Sequence, residues 1–196
     1  LFPGLALVAM VAVTLYRLLS VWRREDAGGG VDLAVRRHTT PQYNLRPGEA
    51  YLLRSAQRSD PARLARAALA SGDPVLFVSR TYPARAAERY RLDKARFIWL
   101  SRNEKKGGHN PTALGPLLDE IEEFLDGEDR GVVVVADMDH IAGENDHRRL
   151  LRFASGLREV AESGRGRVVA AGTLEKLTGE ERRDIAGELK TLGGSG

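Results

Sequence analysis

Four consecutive valines, Val132 to Val135, stand between Gly131 and Ala136-Asp137, and this run constrains the fold more than any other feature. β-Branched residues favour extended backbone, and a strand presents alternate side chains to opposite faces. An unbroken apolar run therefore needs cover on both sides, the condition of a central strand in a parallel sheet flanked by helices. The chain from Glu49 onward repeats the theme, with strands expected at residues 50–53, 75–79, 97–100, 131–136 and 168–171.

Amphipathic stretches fill the intervals. Asp60-Pro61 reads as an N-cap with proline at the first helical position, opening a helix that closes at Gly72. A short helix follows Pro83. After Asn110-Pro111, Leu114, Leu117, Leu118, Ile121 and Leu125 form one apolar stripe. Asn145 or Asp146 caps the longest helix, which ends near Gly164, and a last helix is expected over about 178–192. Alternation of this kind predicts an α/β domain at 49–192, with a five-stranded, mainly parallel sheet and helices on both faces. A disordered tail, 193–196, follows.

The amino-terminal end differs. Residues 1–22, Leu1 to Trp22, contain a single ionisable side chain, Arg17, and no polar face at the helical period. That length matches one transmembrane helix, since about 20 apolar residues cross the hydrocarbon of a bilayer. A buried core helix and a cleaved signal peptide fit less well: one lacks its polar face, the other its basic leader and cleavage site. The expected span is 1–24, followed by a flexible linker, 25–48, that opens with Ala27-Gly28-Gly29-Gly30 and carries Pro41 and Pro47. Arg23, Arg24, Arg36 and Arg37 flank the span and place the domain in the cytoplasm by the positive-inside rule. The expected setting is thus a cell membrane crossed once by this stretch, with lipid contacted through Leu1 to Trp22.

The net charge of +3 belongs to that end: residues 1–48 hold six arginines against three acids, and the remainder balances. A nucleic-acid partner is therefore not expected. With no cysteine, thiol catalysis, cysteine-ligated zinc and iron–sulfur clusters are excluded.

In an open parallel sheet, ligands bind beyond the carboxyl ends of the strands. Three expected strands end alike, in Arg54-Ser55, Ser79-Arg80 and Ser101-Arg102, and the fourth ends in Asp137. Arg54, Ser79, Arg80, Ser101, Arg102 and Asp137 are therefore the candidate ligand-binding residues, suited to phosphate or carboxylate. An apolar strand ending in an acid is also how a nucleoside triphosphatase holds magnesium. The glycine-rich phosphate loop that accompanies it is absent, so ordinary nucleotide cradling is excluded. Asp137-x-Asp139 on the fourth strand lies too late in the chain for a haloacid dehalogenase phosphatase. Asp137, Asp139, His140 and His147 are a candidate metal set, although acids just before a helix also serve as caps. No Ser-His-Asp arrangement is evident.

Residues 49–190 resemble the family known as domain of unknown function 835. The resemblance rests on Ser79-Arg80-Thr81-Tyr82-Pro83, Trp99-Leu100-Ser101, Asn110-Pro111-Thr112, Asp137, Asn145 and Leu150-Leu151-Arg152-Phe153. It departs where the family tends to read Asp-Gly-Leu-Glu-Tyr, replaced here by the shorter Asp137-Met138-Asp139-His140. The resemblance implies a mainly archaeal, membrane-associated protein, often fused to signalling modules. More distantly the layout is similar to RecA-like and KaiC-like ATPases without their phosphate loop, which implies a degenerate relative. The expected function is a membrane-anchored, non-catalytic sensory or protein-interaction module of a signalling system. Its sheet edge would take a nucleotide or other anion, with no cofactor required beyond a possible nucleotide or magnesium. The alternative is a metal-dependent phosphohydrolase or nucleotidase built on the Asp137 cluster.

Overall fold

The computed structural model describes residues 43–55, 59–164 and 166–192. They form an α/β domain with six parallel strands: β1 (Glu49–Leu53), β2 (Val75–Ser79), β3 (Arg96–Trp99), β4 (Val132–Val135), β5 (Arg167–Ala171) and β6 (Lys190–Leu192). The helices are α1 (Ser59–Ala70), α2 (Pro83–Tyr90), α3 (Leu114–Gly127), α4 (Met138–Glu144), α5 (His147–Ser163) and α6 (Gly179–Glu188). The strand order is β3-β2-β4-β5-β1-β6, and every pairing is parallel.

The valine run behaves as a doubly covered strand. All four valines of β4 are buried: Val132 and Val134 face one core with α1 and α2, Val133 and Val135 the other with α3, α4, α5 and α6. The division follows from the connections. β1 and β2 hand the chain leftward along this order and β4 and β5 rightward, and a right-handed crossover puts helices of opposite direction on opposite faces.

Two expectations need correction. The sheet has six strands rather than five, because the last helix ends at Glu188 and residues 190–192 pair with β1. Thr178 and Glu181 begin that helix with a reciprocal capping box, and Leu189 leaves it in extended conformation. The segment 138–144, read only as a run of ligands before a helix, is itself helical, with Met138, Ile141 and Ala142 buried at helical spacing. Ahead of β1, Leu45 is fully buried in the core with α1 and α2.

Among the described residues no helix is long and apolar enough to cross a membrane. The expected span, the linker as far as residue 42 and the tail 193–196 lie outside the described residues.

At the amino ends of the strands sits a buried ionic pin. Asp73 and Arg167 are each 1% exposed at the side chain, and Arg167 Nη1 donates to Asp73 Oδ2 at 3.0 Å. Arg130 approaches Asp73 Oδ1 at 2.5 Å as an ion pair, outside hydrogen-bonding alignment. Arg167 also donates to the Arg130 carbonyl, so one guanidinium ties the entries of β2, β4 and β5 together.

Candidate functional site

β2 and β4 are neighbours whose connections leave in opposite directions, and this divergence opens a crevice at their carboxyl ends. A cleft of about 340 Å³ lies there. Ser55 borders it just after β1, Pro61 from the first turn of α1, Arg80 just after β2, and Ala136 and Asp137 just after β4. Asp139 and His140 enter from α4, and Ala171, Gly172 and Lys176 from the end of β5.

Asp137 closes the crevice floor. Its Oδ2 accepts the Arg80 backbone N–H at 2.9 Å, and its Oδ1 lies 3.8 Å from Arg80 Nε. The carboxylate thus joins the ends of β2 and β4, and the Arg80 guanidinium is half-exposed. Trp99 Nε1 donates to the Arg80 carbonyl at 3.1 Å, so Arg80 is fixed from both sides.

Asp139 does different work. Its carboxylate accepts the N–H groups of Thr173 at 3.1 Å and Leu174 at 2.6 Å, anchoring the loop after β5 to the first turn of α4. Leu174 has a left-handed backbone (φ 55°), which costs a leucine energy and is sustained by these bonds. The loop passes so close that a Cβ on Gly172 would lie 3.0 Å from Asp139 Oδ2. It delivers Lys176 across α4, with Nζ 2.9 Å from where a Gly143 side chain would begin. Lys176 forms no hydrogen bond or ion pair among the described residues. Burial first, then the Arg80 charge, lower the pKa of His140 and so favour its neutral imidazole.

Of the expected ligand residues, the structure brings Arg80 and Asp137 together and disperses the others. Arg54 lines a separate groove with Arg182 and Arg183 of α6. Ser79 is buried and its Oγ accepts the Thr81 N–H at 3.1 Å, a local turn. Ser101 and Arg102 border a shallow depression beyond β3; Ser101 Oγ accepts the Asn103 N–H. Arg102 pairs with Glu144 and holds that carboxyl below the usual range through its hydrogen bond. The dispersal follows from strand order: β1 is separated from β2 by β4 and β5, and β3 is at the edge.

The expected metal set does not assemble. His147 bonds Asp184 of α6 at 3.1 Å rather than joining the cleft. Among the described residues no three His, Asp or Glu side chains are grouped to hold a metal ion. Sequence reasoning missed Lys176, Gly172 and Pro61 as cleft residues; a carboxyl-end position after the fifth strand was the available signal for the first two.

Sheet order, helices on both faces and a crevice at the point of divergence define a doubly wound α/β protein. The chain belongs to the family described as Protein of unknown function (DUF835), whose model matches residues 56–184. No curated protein matches it.

Proposed function

We propose that this chain is a membrane-anchored, non-catalytic sensory or interaction module whose cleft takes a small anion, such as a nucleotide phosphate. One observation carries the reading: at the crevice between diverging connections, Arg80 and Lys176 both border a cleft of about 340 Å³, and among the described residues Lys176 has no ion pair and Arg80 only its contact at 3.8 Å with Asp137. That volume falls within the range of small-molecule sites, roughly 300–1,000 Å³. His140 offers a hydrogen-bond partner for a hydroxyl or amide group of the same ligand.

The layout supports a degenerate RecA-like ancestry, with Asp137 where an ATPase would hold magnesium. Between β1 and α1, where a phosphate loop belongs, residues 54–60 contain no glycine. Asp137 is engaged by Arg80 and Asp139 by the loop after β5, so neither carboxylate is displayed for metal or acid–base chemistry. The hydrolase alternative gains no support from this geometry. The anchor is residues 1–22, the setting a cell membrane with the domain in the cytoplasm, and the output a protein partner in signalling.

Calorimetric titration of the chain with ATP, ADP, GTP and cyclic nucleotides, with and without magnesium, tests the reading. Saturable binding should weaken on the order of 10-fold or more in Arg80→Ala and in Lys176→Ala, each of which removes a charged hydrogen bond. Absence of binding by every nucleotide and by inorganic phosphate would reject the cleft as an anion site.

A further inference from the structure

The near balance of charge beyond residue 48 conceals a segregation. Residues 80–106, which supply the end of β2, α2, β3 and the turn after it, carry nine Lys or Arg and three acids. Residues 114–129, α3 and the turn after it, carry seven acids and no base. Because α2 and α3 pack on opposite faces of the sheet, the charges of these two helices are divided across its β3 edge, while Arg96 lies over the Phe124 ring of α3 and Arg102 pairs with Glu144 of α4. On α2 and the turn after it Arg85, Arg89, Arg91 and Lys94 are all exposed. None of the four is in an ion pair among the described residues. Against Glu88 and Asp93 in the same stretch they leave a net positive charge, whose self-repulsion an anionic partner lowers.

An aromatic pair marks the same face. Tyr82, at the start of α2, is 50% exposed, the one large hydrophobic side chain so exposed among the described residues. It meets Trp99 edge-on with centroids 5.2 Å apart. Tyrosine and tryptophan, each with an apolar body and a polar tip, are the side chains that settle at a lipid headgroup layer.

We propose that this face docks on the headgroups of an anionic bilayer, with α2 toward the lipid and α3 away from it. The docking goes beyond the cleft reading and takes only its delivery from the membrane anchor. Twenty residues separate Trp22 from Tyr43, so the domain stays within about 70 Å of an anchored Trp22 even at full extension. Confinement of this kind raises the effective concentration of the surface, and weak electrostatic contacts then suffice to orient the domain. Each Lys or Arg held near an anionic surface strengthens attachment about fivefold.

The chain has no cysteine, so a single introduced thiol takes a dye uniquely. Ala84→Cys on α2 and Glu122→Cys on α3, labelled separately in the full chain, report energy transfer to acceptor-labelled headgroups. The vesicles are of phosphatidylcholine alone or mixed with phosphatidylserine. Transfer from position 84 should exceed that from 122 only with phosphatidylserine. The difference should vanish between about 0.1 M and about 1 M salt, as the Debye length falls from ~10 to ~3 Å. Reversing Arg85, Arg89 and Lys94 together to Glu should weaken the oriented state by on the order of 100-fold or more. Equal transfer from both positions on phosphatidylserine, or a difference indifferent to salt, would overturn the proposal. Flotation separates it from the anchor. A chain that floats only with phosphatidylserine, with the oriented transfer, keeps the docking face and removes the anchor; one that floats with both compositions but shows no orientation does the reverse. Capture of a labelled oligonucleotide that the triple reversal abolishes, with equal transfer from the two dyes, would assign the face to nucleic acid and overturn the bilayer.

Discussion

Removing Asp73 tests whether the buried pin at the strand entries is a structural necessity. In Asp73→Ala the Arg167 guanidinium, 1% exposed, keeps its charge and loses the Asp73 carboxylate. Breaking a buried ion pair from one side typically costs about 3–5 kcal/mol, because an uncompensated charge remains in a low-dielectric site. For a domain of this size each kcal/mol lowers the melting temperature by about 2–4 °C, so a fall of roughly 6–20 °C is expected. Circular dichroism melts of the two chains side by side are the assay. A second variant separates charge from packing. Asp73→Leu with Arg167→Met fills similar volume without ions, and Arg130, 39% exposed, can turn to water. That pair should regain most of the loss, since well-packed apolar replacements of buried ion pairs are often neutral or better. A loss below about 1 kcal/mol for Asp73→Ala would put the pin in the class of surface bridges and refute the reasoning.

Asp139→Ala should loosen the loop after β5 at a cost of about 1–3 kcal/mol, the penalty for orphaned buried donors, with hydrogen exchange accelerating at Thr173 and Leu174. Unchanged exchange there would deny Asp139 its anchoring part. Gly108→Ala should destabilise by about 1–3 kcal/mol, because its Cβ would lie 2.9 Å from two backbone carbonyls that cannot swing away. Gly127→Ala at the end of α3 meets nothing within 4 Å and should be neutral or stabilising by up to about 1 kcal/mol in the same denaturation assay. His140, its pKa lowered by burial and by Arg80, binds a proton less readily folded than unfolded. Stability should therefore rise with pH from the depressed value up to the ordinary ~6.5, and His140→Gln should flatten that part of the profile. An unaltered profile would contradict the assignment.

Apolar runs carried most of the fold. Val75–Ser79 and the valines of β4 were legible because a doubly covered strand has no polar face to confuse the pattern. β6 was not legible: Lys190-Thr191-Leu192 has one buried residue, and only pairing with β1 makes it a strand. α4 was missed because Met138, Ile141 and Ala142 are too few to declare a period, and the acids between them drew attention as ligands. At the site, Arg80 and Asp137 followed from the rule of carboxyl ends. Arg54 lies apart from them because β4 and β5 separate β1 from β2, and Arg102 because β3 is the edge strand, placements set by crossovers that no local pattern records.

That order also imposes a timetable on synthesis. β2, β3 and β4 pair among themselves and can assemble as soon as residue 135 has left the ribosome. β1, made first, has only β5 and β6 as partners, and more than a hundred residues separate Leu53 from Arg167. At roughly 5–20 residues per second, the apolar stretch Tyr51-Leu52-Leu53 waits on the order of 5–20 s without its ladder. The nascent domain therefore grows from its middle, and its earliest strand is among the last to be seated, open meanwhile to chaperones.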